Sequence, residues 1–139
     1  MKYFLFILGL CFQQALSAQA GNYEHRSEYP SDTIIHRMEL REDGSYGFTA
    51  YYNRQRASGD PTRYSSEGHW SLKDGIVTFS QDSLIRGTGI PLDLRGTRAR
   101  LMRPAARRLP DRPMEISLIL FESPVFWLSN AKLVKVEGG

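Results

Sequence analysis

The chain has 139 residues with 18 basic and 15 acidic side chains, a formal net charge of +3, and one cysteine. That length holds one domain with a modest core and is too short for two. The small net charge argues against a general nucleic-acid binder, and a lone cysteine excludes an intrachain disulfide framework.

Met1 and Lys2 open with positive charge, and Tyr3 to Phe12 is almost wholly apolar before Gln13 and Gln14 interrupt it. This run is about half of the roughly 20 residues that a bilayer-crossing helix needs. It leads to Ala18-Gln19-Ala20, a pattern that signal peptidase accepts. Residues 1–20 are therefore expected to be a signal peptide cleaved after Ala20, which sends the protein to a periplasm or to the extracellular medium. Cys11 lies inside the discarded part, and Leu10 before it is not the small residue that a lipoprotein site requires. Without Lys2 the mature chain keeps 17 basic and 15 acidic side chains, and it must be stabilised by packing.

Residues 21–33 are polar, contain Pro30 and read as a leader, loosely ordered or laid across the domain. An all-β domain is expected over 34–139. Ile34, His36, Met38 and Leu40 alternate with Ile35, Arg37, Glu39 and Arg41, the period of a half-buried strand. Asp43-Gly44 supplies a tight turn, after which Tyr46, Phe48, Ala50 and Tyr52 continue the dry face. A polar connection over 53–62 ends in Gly59-Asp60-Pro61. The next strand runs from about Arg63 to Leu72, with Tyr64, Ser66, Gly68, Trp70 and Leu72 on one parity. Asp74-Gly75 then turns the chain into Ile76 to Phe79, so two successive hairpins make an antiparallel meander.

The second half is less regular. Ile90, Leu92 and Leu94 suggest a fifth strand, Ala99 and Leu101 a sixth, and the proline-rich segment 104–113 a long loop. Met114 to Phe121 alternates again, but its odd face grows apolar, as in a more central strand. Val125 to Leu128 and Lys132 to Val136 read as two final strands. No helical periodicity is sustained and no internal repeat is present. The fold class is all-β, a single small antiparallel meander closing into a barrel, with a two-layer sandwich as the alternative.

Signatures of serine, zinc, nucleotide and dinucleotide chemistry are missing from the sequence, and no cysteine remains for nucleophilic work. His25, His36 and His69 lack the local pairing of a zinc site, so neither metal nor cofactor is expected. His36 reads as a hydrogen-bonded rim or core histidine. Glu39, Glu67 and Glu115 fall on wet faces and could line one surface, though alternating charge on a sheet explains them without catalysis. Hydrolase activity is the least supported reading.

Two features point to binding instead. Tyr46, Phe48, Tyr52, Tyr64 and Trp70 share the dry parity, and a barrel of about eight strands can hold one small apolar molecule among such side chains. Between residues 95 and 112 lie seven arginines against Asp111, which gives that stretch +6 and the rest of the mature chain −4. Guanidinium groups suit phosphate and carboxylate. Arg103, Arg107 and Arg108 are therefore candidates for an anionic lipid or polysaccharide, or for an acidic protein partner. Nucleic acid is not expected, because aromatic side chains for base stacking are not interleaved with the arginines.

The stretch Met38 to Tyr46, followed by Gly68-His69-Trp70 and Asp74-Gly75-Ile76-Val77-Thr78-Phe79, resembles the pattern of bacterial lipocalin-like periplasmic domains. Among these it is similar to the N-terminal domain of the copper-resistance and envelope-stress lipoproteins, over roughly residues 36–80. The resemblance implies a small antiparallel barrel with a binding or sensing role, in which Gly68 permits close packing and Trp70 plugs the barrel. The chain departs from that family in lacking its lipid-anchor cysteine and its C-x-x-C pair, so membrane tethering and copper handling do not carry over. The expected function is an exported, non-catalytic binding module for a small apolar ligand inside the barrel or an anionic envelope ligand at the arginine-rich loop. A protein-interaction or inhibitor module using the 95–113 loop is the alternative.

Overall fold

A computed structural model of the chain describes residues 19–28, 30, 32–54, 61–81, 89–103 and 115–136. The chain runs through β1 (Gly21–Glu28), β2 (Asp32–Leu40), β3 (Ser45–Arg54), β4 (Thr62–Lys73), β5 (Ile76–Ser80), β6 (Ile90–Pro91), β7 (Arg98–Met102) and β8 (Ser117–Glu122). A single 3₁₀ turn (Phe126–Leu128) and β9 (Lys132–Val136) follow. Antiparallel neighbours run β3-β2-β1-β9-β8-β7-β5-β4, and β4 pairs back onto β3. Eight strands thus close into a barrel without a free edge. The two-residue β6 is extra and pairs in parallel with Tyr64 and Ser65 of β4.

The hairpins form where the sequence places them. Asp74 and Gly75 both take positive φ, 53° and 77°, the geometry that lets a two-residue turn follow the twist of its strands. In the β2–β3 hairpin the Asp43 carboxylate accepts from the Ser45 N–H at 2.8 Å. The Gly44 N–H donates to the Arg41 carbonyl at 3.1 Å.

Alternation then decides which side chains fill the interior. Met38 faces Phe48 and Leu40 faces Tyr46 across β2–β3, while Trp70 faces Phe79 across β4–β5. Leu118 meets both Leu101 and Leu133. Met38, Leu40, Tyr46, Phe48, Phe79 and Leu118 are all at most 1% exposed. Apart from the Asp32–Arg54 pair at the rim, the charged residues of β1 to β4 point outward, the reverse of the patterning of a membrane-spanning barrel. Among the described residues no helix is long and apolar enough to cross a membrane.

Trp70 closes the barrel beneath the β2–β3 hairpin. Its indole N–H donates to the Arg41 carbonyl at 3.0 Å and its backbone N–H to Gly44 at 2.8 Å. Tyr46 lies deeper, with its hydroxyl 3.1 Å from Ser66 Oγ, which in turn donates to Gln81 Oε1. The same Gln81 oxygen accepts from the Leu94 N–H at 3.2 Å. This chain of bonds satisfies a phenol that the core would otherwise strand.

Three segments differ from the sequence reading. The supposed leader over 21–33 contains β1 and the start of β2, because Tyr23, His25 and Ser27 face the interior opposite Met38, His36 and Ile34. Only one of those three β1 residues is apolar enough to signal burial. Leu92 and Leu94 are buried without forming a strand. Val125 to Leu128 is not a strand either: it turns once as a 3₁₀ helix that puts Leu128 fully inside. The expected 104–113 loop lies outside the described residues.

Candidate functional site

The barrel has two unlike ends. At the hairpin end, Leu40, Tyr46 and Trp70 pack tightly. At the other end, β1 and β2 place His25 opposite His36, β2 and β3 place His36 opposite Ala50 and Ile34 opposite Tyr52, and the 3₁₀ turn folds Trp127 over the opening. The rings gather closely. The Trp127 centroid is 5.5 Å from both His36 and Tyr52 and 5.6 Å from Tyr64, and Tyr52 meets Tyr64 edge-on at 6.0 Å. Tyr52, Tyr64, His25 and Trp127 are half-buried.

His36 is the polar centre of this cluster and is only 6% exposed. Its Nε2 lies 2.8 Å from the Tyr52 hydroxyl, while its Nδ1 is buried without a hydrogen-bond partner among the described residues. Burial, and secondarily the neighbouring His25, push the imidazole pKa down to about 4, so the ring is neutral at physiological pH. Burial likewise raises the Tyr52 phenol to about 12, so it keeps its proton. If Tyr52 donates, Nδ1 carries an N–H without an acceptor; if Nε2 donates, Nδ1 is a bare lone pair. In both arrangements one polar atom is unpaired in an apolar setting, which is costly and uncommon.

Exposed apolar side chains flank the same end. Phe126 is 84% exposed next to Trp127, and Ile90, opposite Tyr64 in the β4–β6 pairing, is 50% exposed.

The residues singled out by sequence do not form one site. Tyr46, Phe48 and Trp70 are enclosed in the core, whereas Tyr52 and Tyr64 belong to the half-open end. Arg103 stands at the opposite end, close enough to oppose the burial that pushes the Tyr23 phenol up to about 12. The Tyr23 hydroxyl there donates to the Gln19 carbonyl at 2.8 Å. Arg107 and Arg108 lie outside the described residues.

A concavity of about 610 Å³ lies away from this end, on the outer wall of β1 to β4. An adjoining depression of about 400 Å³ is lined by Ile35, Tyr51 and Arg63. In the larger one, Glu39 and Glu67 flank Gly47 on successive strands, about 10 Å apart by strand spacing. Arg41 stands between them and pairs with Glu39 at 3.3 Å, and Arg37 pairs with Glu24 at 3.4 Å. The row is a balanced charged face. Glu115, the third acid considered, pairs instead with Lys132 on the opposite wall at 3.2 Å. Among the described residues no three His, Cys, Asp or Glu side chains gather as a metal site.

No protein family, curated protein or solved structure matches this chain.

Sequence reasoning placed His36 correctly as a hydrogen-bonded core histidine and missed Trp127. The indole sits in a short apolar run that period alone cannot distinguish from a strand. The one available signal was Ser123-Pro124 just ahead, which favours a turn.

Proposed function

We propose that the protein is an exported, non-catalytic binding module that takes a small ligand with an apolar body and one hydrogen-bonding group at the Trp127 end of the barrel. The observation that carries this reading is the unpaired Nδ1 of buried His36 beneath the half-exposed rings of Tyr52, Tyr64 and Trp127. From Phe48 to the hairpin end the interior is occupied by side chains, so a ligand would reach no deeper than His36. Trp127 is held by one 3₁₀ turn without a side-chain cap, and moving its ring sacrifices few hydrogen bonds. The eight-stranded antiparallel barrel supports the lipocalin-like resemblance, and the pattern of residues 1–20 supports export.

The test is a fluorescence titration in a Trp70→Phe background, where Trp127 is the sole indole. The probes are dodecanoic acid, dodecanol and anilinonaphthalene sulfonate. A saturable change in emission is expected with at least one of them, weakened about tenfold by Tyr52→Ala. Silence with all three, or equal affinity in the Tyr52→Ala chain, overturns the reading. N-terminal sequencing of the form that accumulates in the source cell is expected to begin at Gly21, and a start at Met1 removes export.

A further inference from the structure

The outer wall over β1 to β4 holds more than the charged row of Glu39 and Glu67. Register aligns Glu24, Arg37, Thr49 and Ser65 across four strands. Glu39, Gly47 and Glu67 form the next row toward the hairpins, and Ile35, Tyr51 and Arg63 the next row the other way. Gly47 has no side chain, so the floor of the larger concavity is open there, and the smaller depression continues it past Thr49 to Tyr51. Along β3 the distance from Gly47 to Tyr51 is roughly 13 Å.

Ser65 lines this hollow and is unusual in it. The residue takes the outward parity of β4 but is only 7% exposed, set between Thr49 of β3 and Pro91 of β6. The Leu92 N–H donates to its carbonyl at 2.8 Å, which fixes the backbone. Its hydroxyl, however, is buried without a hydrogen-bond partner among the described residues. A polar atom left unpaired in the wall of a concavity is costly unless something that enters the concavity completes it.

The surrounding chemistry selects the occupant. Arg37, Arg41 and Arg63 stand against Glu24, Glu39 and Glu67, and Arg37 and Arg41 are each already paired with a glutamate. This balance leaves no excess charge to offer an anion or a cation, and the lining is too polar for an apolar body. Hydroxyl groups meet it on every side, because they donate to carboxylates and accept from guanidinium N–H groups. Tyr51 adds a half-buried ring, restrained by the Arg63 guanidinium carbon 5.4 Å from its centroid, against which the C–H face of a sugar can pack. The larger hollow, about 610 Å³, falls within the roughly 300–1,000 Å³ of small-ligand sites.

We propose that this wall binds a neutral oligosaccharide laid along β3, with one sugar over Gly47 between Glu39 and Glu67, the next against Tyr51, and a hydroxyl between them completing Ser65. The inference stands apart from the ligand at the Trp127 end and does not require it.

The test is a titration of the full chain with maltotriose, cellotriose and triacetylchitotriose, followed by amide NMR shifts and calorimetry. At least one of the three is expected to bind with a Kd near or below about 1 mM, with the shifts centred on Gly47, Thr49 and Ser65. Affinity is expected to hold through a roughly tenfold rise in salt, since no net charge is neutralised. Ser65→Ala removes only an unpaired hydroxyl, so its urea midpoint is expected not to fall, while its affinity drops about fivefold. Tyr51→Ala is expected to lose about tenfold, and Gly47→Thr, whose side chain fills the floor, to lose binding altogether. Tyr52→Ala, at the Trp127 end, is expected to bind the sugar as the unmodified chain does.

No binding of any of the three sugars overturns the proposal, as do shifts centred on Trp127 or undiminished affinity of the Ser65→Ala and Gly47→Thr chains. Binding of trigalacturonate in place of the neutral sugars, fading as salt rises, overturns it as well.

Discussion

Replacing Gly68 by alanine is expected to remove most of the stability of the domain. A Cβ at this position would stand 2.1 Å from the Ser80 carbonyl oxygen, 3.0 Å from Tyr46 Cε1 and 3.1 Å from Gln81 Cα. Two of those three neighbours are backbone, so the clash cannot be relieved by rotating a side chain. The end of β5 would have to leave the face of β4, breaking the His69–Ser80 pairing. It would also shift Gln81, whose side-chain oxygen serves Ser66 and the Leu94 N–H. Overpacking of this kind costs about 3 kcal/mol, and each displaced buried bond adds roughly 1 kcal/mol. The sum approaches the whole stability of a small domain.

Gly47→Ala is the control, because its Cβ would meet only the far end of the Arg41 side chain at 3.0 Å. That variant is expected to lose under about 1 kcal/mol. Urea unfolding of both chains decides the matter: similar midpoints would show that β5 does not cross Gly68 this closely.

The legible part of the fold is the part where short-range physics and the tertiary environment agree. Strands β2 to β5 announce themselves because each buries one face, so polarity alternates, and because Asp-Gly turns join two of the pairs. Strand β1 is hidden because the interior at its far end is itself polar. His25 and Ser27 face inward toward histidine and tyrosine, so nothing in their chemistry marks the dry side. At β8 the failure is of the opposite kind: apolar residues on both faces suggest a strand covered on both sides, but closure of the barrel leaves Ile119 and Phe121 outside.

The candidate site follows the same rule. Tyr52 and Tyr64 are readable as inward residues on a regular alternation. What sets them apart from Tyr46 is their depth along the barrel axis, a property fixed by strand stagger that no window of sequence contains. Trp127 reaches them from a turn whose position depends on how β8 and β9 pair. The hydrogen bond of His36 to Tyr52 joins residues 16 apart, and it is specified by register rather than by a local motif.

His36 also makes the stability of the domain depend on pH in a window that Asp43 and Asp93 do not share. Its pKa is about 6.5 in an unfolded chain and about 4 in the folded one. Between those values the unfolded chain binds a proton that the folded chain refuses, so stability is complete above about 6.5 and falls as pH drops toward 4. The full difference corresponds to roughly 3 kcal/mol. Asp43 and Asp93 are shifted below their ordinary 3.8 by hydrogen bonds from Ser45 and from Arg95 respectively. Their contributions persist above that value and are lost only at lower pH, which separates them from the histidine. His36→Phe fills the same space among the rings of Phe48, Tyr52 and Trp127 without a titrating group. Its unfolding free energy, measured in urea at successive pH values, is expected to stay nearly level from 6.5 to 4 while that of the unmodified chain declines. Parallel slopes in the two chains would mean that His36 accepts its proton without leaving the barrel, and that the unpaired Nδ1 is already served by water.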